Sequence, residues 1–213
     1  MPIGRFRWER DFWDAGYGLV AGVDEVGRGA LAGPLVAAAV ILDPVQIGKR
    51  SRREKMVEAV RDSKLMTRQA RESALDIIEQ CALGIGIAQV ECGEIDLFGM
   101  TAANRMAMER AVLSLGCQPS VLLLDAFVTD LAMPQVGLID GDALCLSIAA
   151  ASIVAKVARD RQMCALHEID ERYGFDQHVG YGTPAHLRAL ETYGPTFFHR
   201  RSFKPVRECP TLP

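Results

Sequence analysis

The chain has no apolar run long enough to cross a bilayer. The longest nearly apolar stretch, Ala30 to Leu42, falls well short of a span, and the opening MPIGRFRWERDF carries charge where an export signal needs a hydrophobic segment. A soluble, cytoplasmic protein with no membrane segment is the expectation. The six cysteines, Cys81, Cys92, Cys117, Cys145, Cys164 and Cys209, form no C-x-x-C pair and have no accompanying histidine spacing. That excludes a zinc ribbon and a disulfide framework, and leaves scattered buried thiols in a reducing compartment. The four histidines, His167, His178, His186 and His199, form neither H-E-x-x-H nor a triad pattern, and no G-x-x-x-x-G-K-[ST] loop exists. Repeats and low-complexity tracts are absent. So is a basic surplus: 24 Lys and Arg face 27 Asp and Glu, a formal charge of -3, which excludes a grip on nucleic acid through bulk charge alone. Basic residues do cluster locally, at Arg50, Arg52, Arg53 and Lys55 and again at Arg200, Arg201, Lys204 and Arg207.

What is present is a core-forming composition. With 213 residues, 49% of them hydrophobic, the chain fits one large domain. Its most informative segment runs Val20-Ala21-Gly22-Val23-Asp24-Glu25-Val26-Gly27-Arg28-Gly29. An apolar strand there ends in two adjacent carboxylates and a Gly-Arg-Gly turn. Grouped carboxylates hold hard divalent cations, and glycines let backbone amides approach a phosphate or ribose. The combination points to metal-dependent phosphodiester chemistry.

Further along, Arg5 to Gly16 has the pattern of a short amphipathic lead-in. Leu19 to Val26 and Leu35 to Leu42 read as strands joined by the turn Gly27 to Pro34. Asp43 to Lys64 reads as an exposed connection with one short helix, Glu54 to Val60. Thr67 is placed to cap a helix to Gln80. Leu83 to Val90 is a third strand, and Thr101 to Leu115 has helical periodicity ended by Gly116. Val121 to Leu124, four apolar residues before Asp125, suits a central strand covered on both faces. Pro134 to Ile139 is a candidate fifth strand, and one long small-residue helix is expected from Ala143 to His167. After Gly174 the chain turns irregular through HVGYGTP, then Pro184 to Tyr193 suggests a helix and HRRSFKP a basic terminal segment. This order indicates an α/β sandwich with a mixed sheet.

Asp24, Glu25, Asp125 and Asp142 are the candidate metal acids, since each falls where a strand ends or a helix begins. A lone ionised carboxylate in apolar surroundings costs several kcal/mol unless a cation or strong hydrogen bonds compensate it. Mg²⁺ and Mn²⁺ prefer oxygen ligands, so carboxylates without histidine make a suitable set. For Asp142, spacing alone leaves a helix N-cap as an equal alternative. On a regular strand Asp24 and Glu25 point to opposite faces, so they share a site only where the strand twists or ends.

Seven segments in order, LVAGVDEVGRGALAGPLVAAAVIL, DSKLMT, EIDLFGMTAAN, VLLLDAF, GDALCLSIAAASIVAKVARD, YGFDQHVGYGT and HRRSFKPV, resemble the prokaryotic ribonuclease HII family over about residues 7 to 206. The resemblance implies a ribonuclease H-like three-layer α/β sandwich with a five-stranded mixed sheet. It also implies a single catalytic domain over 1–213, with its core at about 17–165 and a small helical, substrate-contacting extension at about 166–206. It makes Asp24, Glu25, Asp125 and Asp142 the catalytic acids around two Mn²⁺ or Mg²⁺ ions. Gly27, Arg28 and Gly29 become the loop that reads ribose hydroxyls at an RNA–DNA junction, and Tyr181 packs on the following deoxyribose. Ser63 and Lys64 are implied to contact backbone phosphates, with plain surface solvation as the competing reading. The implied activity is hydrolysis of RNA in RNA/DNA hybrids and incision 5′ to single ribonucleotides in duplex DNA, by a monomer, with a sliding-clamp contact at the C-terminus left open. Three positions depart from the pattern: Asp140 stands where Lys or His is frequent, Val179 where Lys is, and Gly99 where Asn is. The sister family ribonuclease HIII resembles the chain less, because only 23 residues precede Asp24. A non-catalytic nucleic-acid-binding module and a branched-DNA nuclease of the same fold are the alternatives.

Overall fold

The computed structural model describes residues 3–209. Five strands form one sheet in the order β3-β2-β1-β4-β5. They are β1 (Val20–Val26), β2 (Leu35–Leu42), β3 (Ala82–Val90), β4 (Val121–Asp125) and β5 (Gln135–Leu138). The β1–β2–β3 part is an antiparallel meander, whereas β4 and β5 add in parallel to β1. Every residue of β2, LVAAAVIL, is buried, as a central strand covered on both faces requires.

Among the described residues eleven α-helices complete the fold: α1 (Arg7–Asp14), α2 (Pro44–Gly48), α3 (Arg50–Ala59), α4 (Arg68–Cys81), α5 (Cys92–Phe98), α6 (Met100–Leu113), α7 (Gly141–Leu144), α8 (Leu146–Ile169), α9 (Phe175–His178), α10 (Pro184–Tyr193) and α11 (Lys204–Arg207). Helices α3, α4 and α8 cover the face that carries Val36, Ala38 and Val40. The opposite face, with Val23, Leu35 and Ala37, packs on α6 and Ile95 of α5. The result is a three-layer α/β sandwich. The C-terminal helices build a further cluster around Tyr173, Phe175 and Phe198. Among the described residues no helix is long and apolar enough to cross a membrane.

Small residues set how closely the layers approach. A Cβ on Gly22 of β1 would lie 2.2 Å from the Ser147 carbonyl carbon, so the start of α8 rests directly on the strand backbone. The expected single helix from Ala143 is in fact broken at Cys145, whose backbone is extended. The break has an identifiable partner. The buried carboxylate of Glu9, from α1, accepts hydrogen bonds from the Ser147 amide at 2.6 Å and the Cys145 thiol at 3.0 Å. Glu9 therefore caps α8 from outside, where Cys145 supplies no side-chain cap of its own.

The polar stretch 43–64 also differs from expectation. It holds two helices rather than one, begins its second at Arg50 rather than Glu54, and buries Ile47, Met56 and Val60 beneath the sheet. The helix α5 carries no strong periodic pattern and forms around a capping box between Glu91 and Glu94. Helix α6 stops at Leu113, short of Gly116. Thr67 caps α4 as its position predicts, its hydroxyl accepting from the Ala70 amide at 3.2 Å. Of the six free cysteines, Cys81, Cys92 and Cys145 are buried, and the other three are half-buried. The proposed clamp contact falls on the C-terminal residues, of which 210–213 lie outside the described residues.

Candidate active site

Strand register brings the first acids together. Val23 pairs with Leu124 in the parallel β1–β4 ladder, so Asp24 and Asp125 follow as the next residues on neighbouring strands. Asp125 Oδ1 accepts the Gly141 amide at 2.8 Å, which draws the turn bearing Asp142 to the same sheet edge. Arg5 ties that turn down from behind, donating to the carbonyls of Asp142 and, at 2.8 Å, Val60.

Asp24 and Glu25 leave the strand on opposite faces. Asp24 pairs with Ala38, which packs toward α8; Glu25 pairs with Ala37, which packs toward α6. Among the described residues no three His, Cys, Asp or Glu side chains close around an ion-sized space. The electrostatics nevertheless join the set. Burial, then the Glu25 charge and the Asp125 charge, push the Asp24 carboxyl well above the usual carboxylate range. Burial likewise lifts Glu25 to about 7, against the pull of Arg28, and raises Asp125. Glu25 Oε2 is buried with no hydrogen-bond partner among the described residues. A cluster of desolvated carboxylates with an orphaned oxygen, whose cationic neighbours are Arg28, with Nη1 at 3.6 Å from Glu25, and the more distant Lys64, fits a site for divalent cations. Oxygen-only donors favour Mg²⁺ or Mn²⁺ over zinc.

The loop after β1 is held from below. Arg200, fully buried, donates to the carbonyls of Gly27 (2.7 Å), Arg28 (3.0 Å) and Gly33 (2.8 and 3.1 Å). Arg159, also fully buried, donates to Ala32, Pro34 and Val179. The Arg28 side chain lies over the Phe127 ring at 4.6 Å. The two loop glycines differ in what they need. Gly27 has φ +98°, and a Cβ there would strike Arg159 Nε at 2.3 Å, whereas Gly29 has no left-handed backbone and only the Tyr181 ring within 4 Å. The bare surface of Gly29 is therefore not required by the fold.

Tyr181 stands 37% exposed beside Gly29. Its carbonyl accepts from His186 Nδ1 at 3.0 Å; His186 Nε2 meets His199 Nε2 at 3.0 Å; and His199 Nδ1 accepts from the Thr196 amide at 3.1 Å. These contacts select one neutral tautomer for each ring, so protons run in one direction from Thr196 to Tyr181. Ser63 is buried, its hydroxyl 2.9 Å from Ser152, and its carbonyl accepts from Arg71, which pairs with Asp160. Lys64 is exposed, close enough to Asp125 to pull its pKa down.

Sequence reasoning singled out the acids, the loop and Tyr181 as candidates but gave no role to Arg159, Arg200, Glu9 or the histidine chain. Their signal is weak, because a buried arginine in a basic segment looks like any surface arginine. Among the described residues three non-glycine positions have left-handed φ: Ala126, Asp140 and Val179. Each adjoins a candidate site segment, where backbone strain concentrates. Two of them, Asp140 and Val179, are among the three positions noted in the sequence as departing from the resembled pattern.

A family model described as Ribonuclease HII matches residues 21–206, which includes all four acids, the loop and Tyr181. The ribonuclease HII of Geobacillus thermodenitrificans is 49% identical over 95% of this chain and 75% of its own length. That of Chloroflexus aggregans is 49% identical over 91% of this chain and 90% of its own. The crystal structure of ribonuclease H2 from Pyrococcus horikoshii superposes with a TM-score of 0.73 at 26% identity, covering 89% of this chain and 96% of that one. Sheet order, acid-bearing strand ends and near-complete matches in both comparisons lead to one assignment: the chain belongs to the ribonuclease HII family.

Proposed function

We propose that this ribonuclease H endonuclease cuts RNA in RNA/DNA hybrids and incises duplex DNA on the 5′ side of a single embedded ribonucleotide, leaving 3′-hydroxyl and 5′-phosphate ends. The observation that carries the reading is the group of desolvated, mutually repelling carboxylates Asp24, Glu25 and Asp125 beside a bare glycine loop. Asp24, Glu25, Asp125 and Asp142 hold two divalent cations, Mg²⁺ or Mn²⁺. When bound, such ions supply an activated water and offset charge on the departing oxygen.

The chain's own residues do the rest. The Gly27-Arg28-Gly29 loop accepts the ribose, whose 2′-hydroxyl separates RNA from DNA. Tyr181 lies against the following deoxyribose, and Lys64, exposed beside Asp125, faces a backbone phosphate. Ser63 acts through its buried bond to Ser152, keeping the segment that carries Lys64 against the helix that faces Asp24. Such a protein serves ribonucleotide excision and RNA primer removal in the cytoplasm, as a monomer.

The test is cleavage of a duplex with one ribonucleotide, in Mg²⁺ or Mn²⁺ and in chelator, by the wild type and by Asp125→Asn. Cutting in metal is expected, with none in EDTA and none by the variant, whose melting temperature is unchanged or higher because a half-buried charge that burial disfavours is gone. Activity that survives EDTA, or cutting of branched all-DNA substrates instead, overturns the proposal.

A further inference from the structure

We propose that Arg200 is a positioning residue that presets the ribose-reading loop, by drawing two successive carbonyls inward so that the next two amides face the substrate. The proposal rests on the reading of Gly27–Gly29 as the ribose-binding element.

The geometry runs through peptide planarity. In a trans peptide the C=O and the following N–H point in opposite directions. The carbonyls of Gly27 and Arg28 both bond to Nη1 of Arg200, at 2.7 and 3.0 Å, beneath the loop. The amides of Arg28 and Gly29 therefore point away from the buried guanidinium, toward the exposed side on which both residues lie. Among the described residues neither amide has a hydrogen-bond partner. The missing side chain at Gly29 leaves that approach open.

Arg200 is unusual for a buried cation. It has no carboxylate partner among the described residues, and its charge is met mainly by carbonyl dipoles, with the Cys92 side chain and the Phe203 ring, 5.4 Å away, beside it. Burial pushes its pKa down to about 10, so it remains charged at neutral pH. The dipoles that solvate this charge carry their positive ends outward, and a bound hydroxyl or phosphate oxygen completes the array, as in other backbone-amide anion cradles. Lysine at this position keeps the charge but offers one ammonium, which cannot span the Gly27, Arg28 and Gly33 carbonyls as a planar fork does.

The experiment compares full-length wild type with Arg200→Lys and Arg200→Gln. Binding is measured in EDTA, where nothing is cut, to two duplexes identical except for a single ribonucleotide. The wild type is expected to prefer the ribonucleotide duplex. Arg200→Lys is expected to lose that preference by about tenfold or more, while its binding of the all-deoxy duplex changes less than about twofold. A folded Arg200→Lys protein with the wild-type preference, or with equal losses on both duplexes, overturns the role of Arg200 alone. A wild type indifferent to the ribonucleotide overturns the ribose reading, and the Arg200 role with it. Should both variants fail to fold, amide exchange in the wild type decides the matter. The Arg28 and Gly29 amides are expected to exchange freely in the free protein and to be protected by the ribonucleotide duplex only. Strong protection without any ligand refutes the outward geometry.

Discussion

Replacing each loop glycine with alanine separates what the fold needs from what the ligand needs. At Gly27 the added methyl meets φ +98° and lies 2.3 Å from Arg159 Nε and 2.9 Å from its Cδ. The left-handed backbone costs about 1–2 kcal/mol for a residue with a Cβ, and forcing a buried neighbour aside costs about 1–3 kcal/mol more. Arg159 cannot yield freely, because it holds three backbone carbonyls at 2.9 to 3.1 Å. Gly27→Ala should therefore lose about 2–5 kcal/mol, a Tm drop of about 5–15 °C for a chain this size. At Gly29 the nearest atom is 3.9 Å away and the backbone is ordinary. Gly29→Ala should stay within about 0.5 kcal/mol of wild type, as a surface substitution does, yet cut a single-ribonucleotide duplex about 10–100 times more slowly, because the methyl group holds the ribose off the amides. Scanning calorimetry and cleavage kinetics on the two variants are the assays. If Gly29→Ala melts as early as Gly27→Ala, or cuts at the wild-type rate, the division of labour within the loop is wrong.

Glu9→Ala should destabilise the protein by about 2–4 kcal/mol, because it removes the cap of α8 and leaves a buried gap; thermal melts check it, and an unchanged Tm would mean that the helix start needs no outside partner. The His186–His199 pair gives a pH signature. Burial depresses His186 to about 4 and His199 to about 3. Both are neutral when folded, so their contribution is present above the unfolded value of about 6.5 and is lost as pH falls toward 4. The groups facing the pair are His178, stacked on His186 at 4.5 Å, together with Tyr173, Asp170 and Arg201. Urea unfolding between pH 7 and 5 should show wild type losing stability relative to His186→Gln/His199→Gln by about 1–2 kcal/mol per pH unit. Parallel pH curves for the two proteins would contradict the neutral assignment.

Much of the fold was legible because local signals agreed with the tertiary outcome. The apolar runs at Leu19 to Val26, Leu35 to Leu42 and Val121 to Leu124 became the three central strands within a residue. The cap at Thr67 marked the start of α4, and the helix expected from Pro184 to Tyr193 has those bounds. The candidate acids stood out because a carboxylate at the end of an apolar run is chemically conspicuous. What was not legible depends on partners far along the chain. The break at Cys145 exists because Glu9 arrives from another part of the structure. Residues 43–64 look solvated yet bury Ile47, Met56 and Val60, because α4 and α8 leave a surface to cover. Arg159 and Arg200 satisfy carbonyls rather than carboxylates, and no charge pattern announces such a pairing.

The bond from Arg200 to Gly27 also orders events in time. It spans 173 positions, so a chain emerging from the ribosome exposes its glycine turn long before the guanidinium that shapes it has been made. Domains generally fold as units as synthesis proceeds, and in this one the Gly27, Arg28 and Gly33 carbonyls wait for residue 200 to be made before that guanidinium can hold them. Prematurely terminated fragments would carry the acids but not the shaped loop.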